Sequence, residues 1–201
     1  RVIAPSRDAA GRIARRFPGL SPLAWPHPEL AGPALARRKV VVPGGLSPAK
    51  GMARLLDCAR DAKARSLPLV FRVAGHVALP LPAEEALPLS FTGEFPEGAL
   101  DALLEEERPD VFFFPAQWPE TYSYTLSAAL RARRPIVATD LGAFPERLDG
   151  RAGARIVPWN LPAGALNDAL LEAAGGAPAL PETATRGEDG EAWARRYLDG
   201  I

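Results

Sequence analysis

A carboxylate and three hydroxyl groups follow one another in the run Glu120–Ser123, directly after the apolar segment Val111–Phe114. The apolar segment predicts a buried strand, and the spacing of Leu126, Ala129 and Leu130 predicts a helix after the run. At such a turn a carboxylate can accept hydrogen bonds from sugar hydroxyls, while N–H groups at the helix N-terminus can hold an anion. The simpler alternative is that Glu120 caps the helix, which is worth about 0.3–1 kcal/mol. Taken alone, these residues favour capping.

A second group of residues suited to chemistry lies in the segment Val42–Gly51, which has the sequence VPGGLSPAKG. Gly44 and Gly45 let a phosphate approach the backbone, and Lys50 supplies a full positive charge at the start of the next helix. The segment therefore predicts a seat for a pyrophosphate. Because it matches neither the GxGxxG pattern nor the P-loop pattern, it gives little support to a dinucleotide site or a P-loop. A tight turn with a solvated lysine explains the same residues equally well.

The two histidines are weaker candidates for chemistry. Gly75 and His76 directly follow the apolar run Leu69–Ala74, so they are expected at the sheet edge that also carries Gly44 and Glu120. A single histidine after a strand is more often a hydrogen-bond donor in a loop than a catalyst. His27 stands among prolines and is expected to be structural.

Length and composition exclude several classes of protein. The chain has 201 residues, enough for one sizeable core, and 24 basic residues balance 24 acidic ones, so no basic field favours nucleic acid. The single cysteine, Cys58, excludes internal disulfides and is expected to be a buried, inert thiol. No apolar stretch approaches the roughly 20 residues that cross a bilayer, and no signal peptide opens the chain. We therefore expect a cytoplasmic protein. For the full-length protein, a position at the inner surface of the membrane is kept as an alternative.

Short apolar runs alternate with segments of helical period, which is the pattern of a parallel sheet covered on both faces. The predicted fold class is α/β, Rossmann-like. The predicted strands are Val2–Ala4, Lys39–Val42, Leu69–Ala74, Leu89–Thr92, Val111–Phe114, Ile136–Thr139 and Arg155–Val157. Helical stripes that face the sheet are Met52, Leu55, Leu56 and Ala59; Leu100, Leu103 and Leu104; Leu126, Ala129 and Leu130; and Leu166, Ala169, Leu170 and Ala173.

A proline-rich stretch at residues 18–38 interrupts this alternation and predicts a linker or an extended crossover. We expect residues 1–30 to form a first βα unit with this linker, and residues 31–201 to form the Rossmann-like domain. The run Glu191–Ile201 predicts a closing helix. Because the chain begins at Arg1 rather than methionine, we expect it to be a fragment of a longer protein.

Six segments, in their order and spacing, resemble the C-terminal half of group 1 glycosyltransferases, which are retaining, nucleotide-sugar-dependent enzymes of the GT-B fold. The most specific part is PETYSYTLSAALRARRPIVATDLGAFPERL, similar to the family segment in which a glutamate, a turn and a helix precede a proline-led strand. The resemblance covers residues 39–175. Residues 1–28 then resemble the last βα unit of the N-terminal, acceptor-binding domain. The six segments are Gly44–Gly51, Phe71–Gly75, Phe91–Gly93, Asp110–Pro115, Glu120–Ala132 and Pro135–Arg147.

The resemblance implies roles for individual residues. Lys50 holds the donor diphosphate and Glu120 contacts the transferred sugar, so these two are expected to be catalytic. Gly93 and its backbone lie near the nucleobase. The other residues expected to bind the donor are Gly44, Gly45, Gly75, His76, Tyr122, Ser123 and Tyr124.

Three positions depart from the family pattern. The arginine of the family's phosphate loop is Gly45 here, which removes one cation opposite the diphosphate. The family's second glutamate falls on Ala128, which cannot hydrogen-bond a ribose, whereas a hydrogen bond to a charged group is worth roughly 1.5–3 kcal/mol. Arg133 stands in place of a usual glycine. These changes predict weaker binding, a different donor, or loss of transfer.

The resemblance implies transfer of a sugar from a nucleoside-diphosphate sugar to a glycan or glycoconjugate acceptor, with retention at the anomeric carbon. No metal or other cofactor is expected, and the fragment alone is expected to show little turnover. The main alternative is a degenerate, non-catalytic module that binds nucleotide sugars or serves assembly. A paired-carboxylate hydrolase is disfavoured because Glu120 has no clear acidic companion at the same edge of the sheet. Asp140 and Glu146 are the nearest candidates. A nicotinamide-dependent dehydrogenase is disfavoured because the sequence lacks the GxGxxG turn that such enzymes need.

Overall fold

The computed structural model describes residues 2–4, 6–24, 36–77, 86–96 and 98–175. The chain divides into two compact units, Arg1–Leu35 and Ala36–Ile201. His27 and the helix expected at residues 191–201 lie outside the described residues. None of the helices within the described ranges combines the length and apolar character needed to cross a bilayer.

The described residues of the first unit form two short parallel strands and one helix. β1 (Ile3–Ala4) pairs with β2 (Leu23–Ala24), and α1 (Arg7–Arg16) lies between them in the chain. α1 begins at Ser6, whose Oγ accepts a hydrogen bond from a first-turn N–H at 3.1 Å. β2 lies within residues 18–38, where the sequence predicted a linker or an extended crossover and no strand. Two residues are too few for a periodic signal, so only their pairing with β1 defines the strand.

The second unit is built on a six-stranded parallel sheet. Its strands are β3 (Arg38–Pro43), β4 (Leu69–Ala74), β5 (Leu89–Phe91), β6 (Val111–Phe114), β7 (Ile136–Thr139) and β8 (Ala154–Val157). Their spatial order is β5-β4-β3-β6-β7-β8, with every neighbouring pair parallel. β4 and β5 therefore lie on one side of β3, and β6, β7 and β8 lie on the other, so the strand order reverses between β3 and β6. Loops on either side of such a switch point diverge and leave a crevice at the carboxyl ends of the strands.

This sheet confirms the predicted α/β class. β4, β6 and β7 match the predicted bounds to the residue. Every residue of β6 and β7 is buried, as expected of strands covered on both faces, whereas β4 contains Arg72 and is half-buried at Val70 and Arg72. β8 differs in burial: Arg155 and Ile156 are exposed, since β8 is the edge strand of the sheet.

Helices cover both faces of the sheet and seal two apolar cores. The helices in the described part of the second unit are α2 (Met52–Ala64), α3 (Leu100–Glu107), α4 (Tyr124–Arg131), α5 (Phe144–Leu148) and α6 (Ala163–Gly175). Within the strand β6, Val111 and Phe113 belong to the core beneath α2 and α6, whereas Phe112 and Phe114 belong to the core beneath α3 and α4. This alternation follows from the two-residue period of a strand.

Glu107, at the end of α3, ties that helix to two strands. Its carboxylate accepts hydrogen bonds from Arg72 Nε at 2.9 Å and from Lys39 Nζ at 3.2 Å. Burial would by itself raise the pKa of Glu107, but the hydrogen bonds and charges of Arg72 and Lys39 outweigh it and leave the pKa lowered. The ionised carboxylate is therefore part of the native packing of α3.

Cys58 and Asn167 lie between α2 and α6. Burial raises the pKa of the Cys58 thiol to about 12, so the thiol stays protonated at neutral pH. The Asn167 side chain is fully buried and donates from Nδ2 to the Cys58 carbonyl and to an Asp61 carboxylate oxygen, both at 2.8 Å. These bonds fix the two helices against each other away from the crevice.

Candidate functional site

A small cavity opens at the switch point, between the carboxyl ends of β3 and β6. An adjoining groove of about 490 Å³ shares three lining residues with it, Lys50, Glu120 and Thr125. The segments Val42–Gly51 and Glu120–Ser123 therefore face one another. They meet because the carboxyl ends of neighbouring parallel strands lie at the same edge of the sheet.

The turn after β3 is packed too closely for ordinary side chains. Gly44 has a φ of 90°, and a Cβ added to it would lie 2.8 Å from Thr125 Cγ2. A Cβ on Gly45 would lie 3.1 Å from the imidazole of His76. A Cβ on Gly75 would overlap the backbone of Gly44. The glycines thus let three loops approach one another, and His76 occupies the space beside the position where the family has an arginine.

α2 begins at this turn without a side-chain cap. Its N-cap residue, Gly51, is left-handed with φ 89°, and a Cβ there would overlap the Pro115 carbonyl on the opposite loop. The first turn of α2 contains no acidic residue. Within the described residues, neither the Lys50 ammonium nor the Glu120 carboxylate forms a hydrogen bond or ion pair. The positive end of α2 and the Lys50 charge are thus directed to the same small region.

Glu120 does not cap a helix, which corrects the interpretation that the isolated residues favoured. α4 begins at Tyr124 with Ser123 as its N-cap, and its first turn contains no acidic residue. The Glu120 carbonyl instead accepts a hydrogen bond from the Ala143 N–H at 2.9 Å. The loop after β7 therefore holds the Glu120 backbone, and the carboxylate lines both the cavity and the groove.

Ser123 is the most strained residue at the start of α4. It adopts φ 64° and ψ 83°, a left-handed conformation that favours glycine. Its hydroxyl lies 3.3 Å from Thr125 Oγ1 and forms no cap. In the part of the chain that the structure describes, the N–H groups of Ser123, Tyr124 and Thr125 have no hydrogen-bond acceptor. They form an uncapped, electropositive helix end beside the groove.

Arg147, on α5, is a site residue that the sequence analysis missed. Its guanidinium donates hydrogen bonds to the carbonyls of Tyr122 and Ser123 and to Ser127 Oγ, at 2.5, 2.9 and 2.8 Å. It also lies over the Tyr122 ring, 4.1 Å from the ring centroid. Arg147 and Tyr122 are 25 residues apart in the chain, so no local pattern links them.

The remaining predicted residues lie at different distances from the crevice. Tyr122 and Tyr124 line the groove together with Trp118, and all three aromatic side chains are exposed. Gly93 follows the edge strand β5 and does not line the cavity or the groove. Ala128 is buried in the core beneath α4.

Two further positions concern the alternatives raised by the sequence. Arg133 has a φ of 53°, a left-handed conformation that favours glycine and makes arginine conformationally costly there. Asp140 accepts a hydrogen bond from the Trp159 N–H at 2.8 Å, so one of the two acidic neighbours of Glu120 has a structural partner.

Comparison with known families gives one match. The model described as glycosyl transferases group 1 matches residues 37–175. No curated protein sequence matches the chain.

Solved structures resemble this chain over most of its length. AviGT4, a glycosyltransferase involved in avilamycin A biosynthesis, has a TM-score of 0.56 and 19% identity over 82% of this chain and 51% of its own. HepE of Anabaena, solved with UDP and glucose, has a TM-score of 0.53 and 16% identity over 85% and 52%. The C-terminal domain of the group 1 protein LpcC of Francisella tularensis has a TM-score of 0.52 and 14% identity over 68% and 75%. The present chain thus spans about half the length of the first two, and the likeness shows the fold.

Proposed function

Because the chain belongs to the group 1 glycosyl transferases, whose model matches residues 37–175, we propose that it is the donor-binding half of a glycosyltransferase that uses a nucleoside-diphosphate sugar. The observation that carries the proposal is that Lys50 and the N-termini of α2 and α4 meet at one crevice, and that neither N-terminus has a side-chain cap. A full cation and two positive helix ends suit a diphosphate. The complex of HepE with UDP and glucose supports the same assignment.

In the proposed reaction, the bond between the anomeric carbon of the sugar and the diphosphate oxygen breaks. The acceptor hydroxyl oxygen forms the new bond on the same face of the sugar, and its proton passes to the departing diphosphate. Lys50 and the two helix N-termini stabilise the negative charge that develops on the diphosphate. Their contribution is electrostatic and preorganised, because the close packing of Gly44, Gly51 and Gly75 fixes the loops before the donor binds.

Glu120 has the second role in this proposal. Its carboxylate lines the groove next to Lys50, and the Ala143 N–H holds its backbone. It would accept hydrogen bonds from hydroxyl groups of the transferred sugar and so orient the anomeric carbon. The acceptor, a glycan or glycoconjugate in polysaccharide or glycoconjugate synthesis, would be bound by a separate N-terminal domain at the cytoplasmic side of the membrane.

A non-catalytic binding module is the second candidate, and three residues favour it. Gly45 supplies no cation, Ala128 is buried where the family has its ribose-binding glutamate, and Arg133 occupies a left-handed position. Such a module would still bind the nucleoside diphosphate through Lys50. Transfer by a longer protein that contains this chain, abolished by Lys50→Met and by Glu120→Gln, would exclude this second candidate.

The first experiment tests the donor site on this chain itself. Melting temperature and calorimetric binding are measured with UDP, GDP, ADP and dTDP for the unaltered chain, Lys50→Met and Lys63→Met. Lys63 is the matched control, since it is exposed in the last turn of the same helix. We expect one diphosphate to stabilise the unaltered chain and the control by about 2.7 kcal/mol at one hundred times its Kd, and Lys50→Met to lose most of this gain. Binding by none of the four would contradict the proposal.

A further inference from the structure

We propose that Arg147 is a positioning residue of the donor site, which holds the loop Glu120–Ser123 so that backbone N–H groups at the start of α4 face the diphosphate. This inference rests on the proposed function. It concerns a side chain on α5, outside both segments that were expected to bind the donor.

The hydrogen bonds of Arg147 fix two successive peptide groups. Nη1 donates to the Tyr122 carbonyl at 2.5 Å and to the Ser123 carbonyl at 2.9 Å. In a trans peptide the C=O and the following N–H point in opposite directions within one plane. Because both carbonyls point at Arg147, the N–H groups of Ser123 and Tyr124 must point away from it. Both residues line the groove that also contains Lys50.

The same guanidinium is held on its other sides. Nη2 donates to Ser127 Oγ at 2.8 Å, one turn into α4, and the guanidinium plane lies over the Tyr122 ring at 4.1 Å from the centroid. An arginine fork can make these contacts together because its donors are fixed in one plane, whereas a lysine ammonium is a single point charge. Arg147 therefore links the loop, the helix start and an aromatic side chain.

The loop needs such support because of Ser123. A non-glycine residue in the left-handed region is strained, and no side chain caps the N-terminus of α4. α5 and the residue before it supply the missing constraint. The Ala143 N–H donates to the Glu120 carbonyl at 2.9 Å, and Arg147 donates to the carbonyls of Tyr122 and Ser123. One short segment thereby sets the position of the sugar-binding carboxylate and of the phosphate-binding N–H groups.

The test compares Arg147→Met, Arg147→Lys and Arg131→Met. Arg131 is the matched control: it lies on α4 and bridges to Asp101 of α3 by bonds of 2.8 and 2.9 Å, so its loss removes an arginine contact of the same helix without touching the loop. For the nucleoside diphosphate that binds the unaltered chain, we expect the calorimetric Kd to rise about tenfold in Arg147→Met and less in Arg147→Lys. The control should stay within about twofold of the unaltered chain.

A purely structural role would lower the melting temperature of Arg147→Met without changing the Kd measured well below melting. That result, or an equal rise of Kd in the Arg131→Met control, would overturn the proposal. Hydrogen exchange of the Leu126 and Ala143 amides, which donate to the Ser123 and Glu120 carbonyls of the loop, adds a readout that needs no ligand. We expect faster exchange there in Arg147→Met than in the unaltered chain and the control, with partial rescue in Arg147→Lys.

The two proposals fail in different ways. If the unaltered chain binds none of the diphosphates, the proposed function fails, while exchange still decides whether Arg147 holds the loop. Unchanged exchange of the Leu126 and Ala143 amides in Arg147→Met overturns the positioning role even when the unaltered chain binds a diphosphate tightly.

Discussion

Gly142 packs directly against the backbone of Glu120. It is left-handed with φ 60°, and a Cβ on it would overlap both the Glu120 nitrogen and the Glu120 carbonyl oxygen. The next residue, Ala143, donates its N–H to that carbonyl at 2.9 Å. The loop after β7 therefore defines where the candidate sugar-binding carboxylate stands.

Replacing Gly142 by alanine should destabilise the protein and weaken donor binding together. The Cβ would force the Glu120 loop to move, in addition to the strain of a left-handed alanine, which is about 1–3 kcal/mol. Gly150→Ala is the matched control, since Gly150 has φ 64° but no heavy atom within 4 Å of its added Cβ. Urea unfolding should show a clearly larger loss for Gly142→Ala. Equal losses of stability in the two variants would show that contact with Glu120 does not restrict residue 142 to glycine.

Glu120→Gln should weaken binding of the nucleoside-diphosphate sugar more than binding of the diphosphate alone. The carboxylate is assigned to the sugar, and a hydrogen bond to a charged group contributes about 1.5–3 kcal/mol, which is roughly tenfold or more in Kd. Calorimetry with both ligands measures the difference. Glu106→Gln, at an exposed position on α3, serves as the control. Equal weakening for both ligands would show that Glu120 contacts the diphosphate rather than the sugar.

Ser123→Gly should give a more stable protein than Ser123→Ala, by about 1 kcal/mol. Both changes remove the contact between the Ser123 hydroxyl and Thr125 Oγ1, but only glycine adopts φ 64° without strain. Thermal and urea unfolding of the pair isolates the conformational contribution. A more stable alanine variant would show that residue 123 leaves the left-handed region in solution.

The stability of the protein should fall at acidic pH through Glu107. Its pKa is lowered in the folded state, so in acid the unfolded state, with a glutamate pKa of about 4.3, binds more protons than the native state. The stabilisation by ionised Glu107 is therefore complete above the unfolded pKa and is lost as the pH falls through the folded pKa. Glu107→Gln should flatten the urea-unfolding profile below about pH 5, whereas Glu106→Gln should not. A profile unchanged by Glu107→Gln would contradict the ion-pair contacts of Arg72 and Lys39.

Cys58 should react with thiol reagents only when the protein unfolds. Its side chain is fully buried, and its pKa is raised to about 12 because burial disfavours the thiolate. Labelling kinetics should therefore follow the unfolding equilibrium as urea is added. Because the unfolded thiol has a pKa of about 8.5, the unfolded state loses its proton first, so this group lowers stability as the pH rises above that value. Rapid labelling in native buffer would show that α2 and α6 separate locally.

Most of the fold could be predicted from the sequence, because its signals are local. Apolar runs mark β6 and β7 to the residue, a run interrupted only by Arg72 marks β4, and stripes at helical spacing mark the helices that cover them. The two-residue strand β2 was missed, since a pairing partner rather than a pattern defines it.

The candidate site could be predicted only in part. Gly44 and Glu120 were expected at one edge because each follows a parallel strand, and in the structure Gly45, Lys50 and Glu120 line one cavity while Gly44 packs against Thr125. The capping role favoured for Glu120 was wrong, because the helix begins only at Tyr124 and a local sequence cannot fix where a turn ends. Arg147 gave no signal, since a basic residue late in a short helix has an ordinary explanation at the helix C-terminus.

The sequence by itself thus determined the order of the elements, the α/β class and the edge at which chemistry is expected. These follow from hydrophobic period and from the rule that parallel strands end at the same side of a sheet. Only the tertiary structure decided that Gly142 must be glycine because of Glu120, and that Arg147 holds the carbonyls of Tyr122 and Ser123. Such contacts join residues far apart in the chain, and their geometry depends on how β6 and β7 pair and how α5 packs.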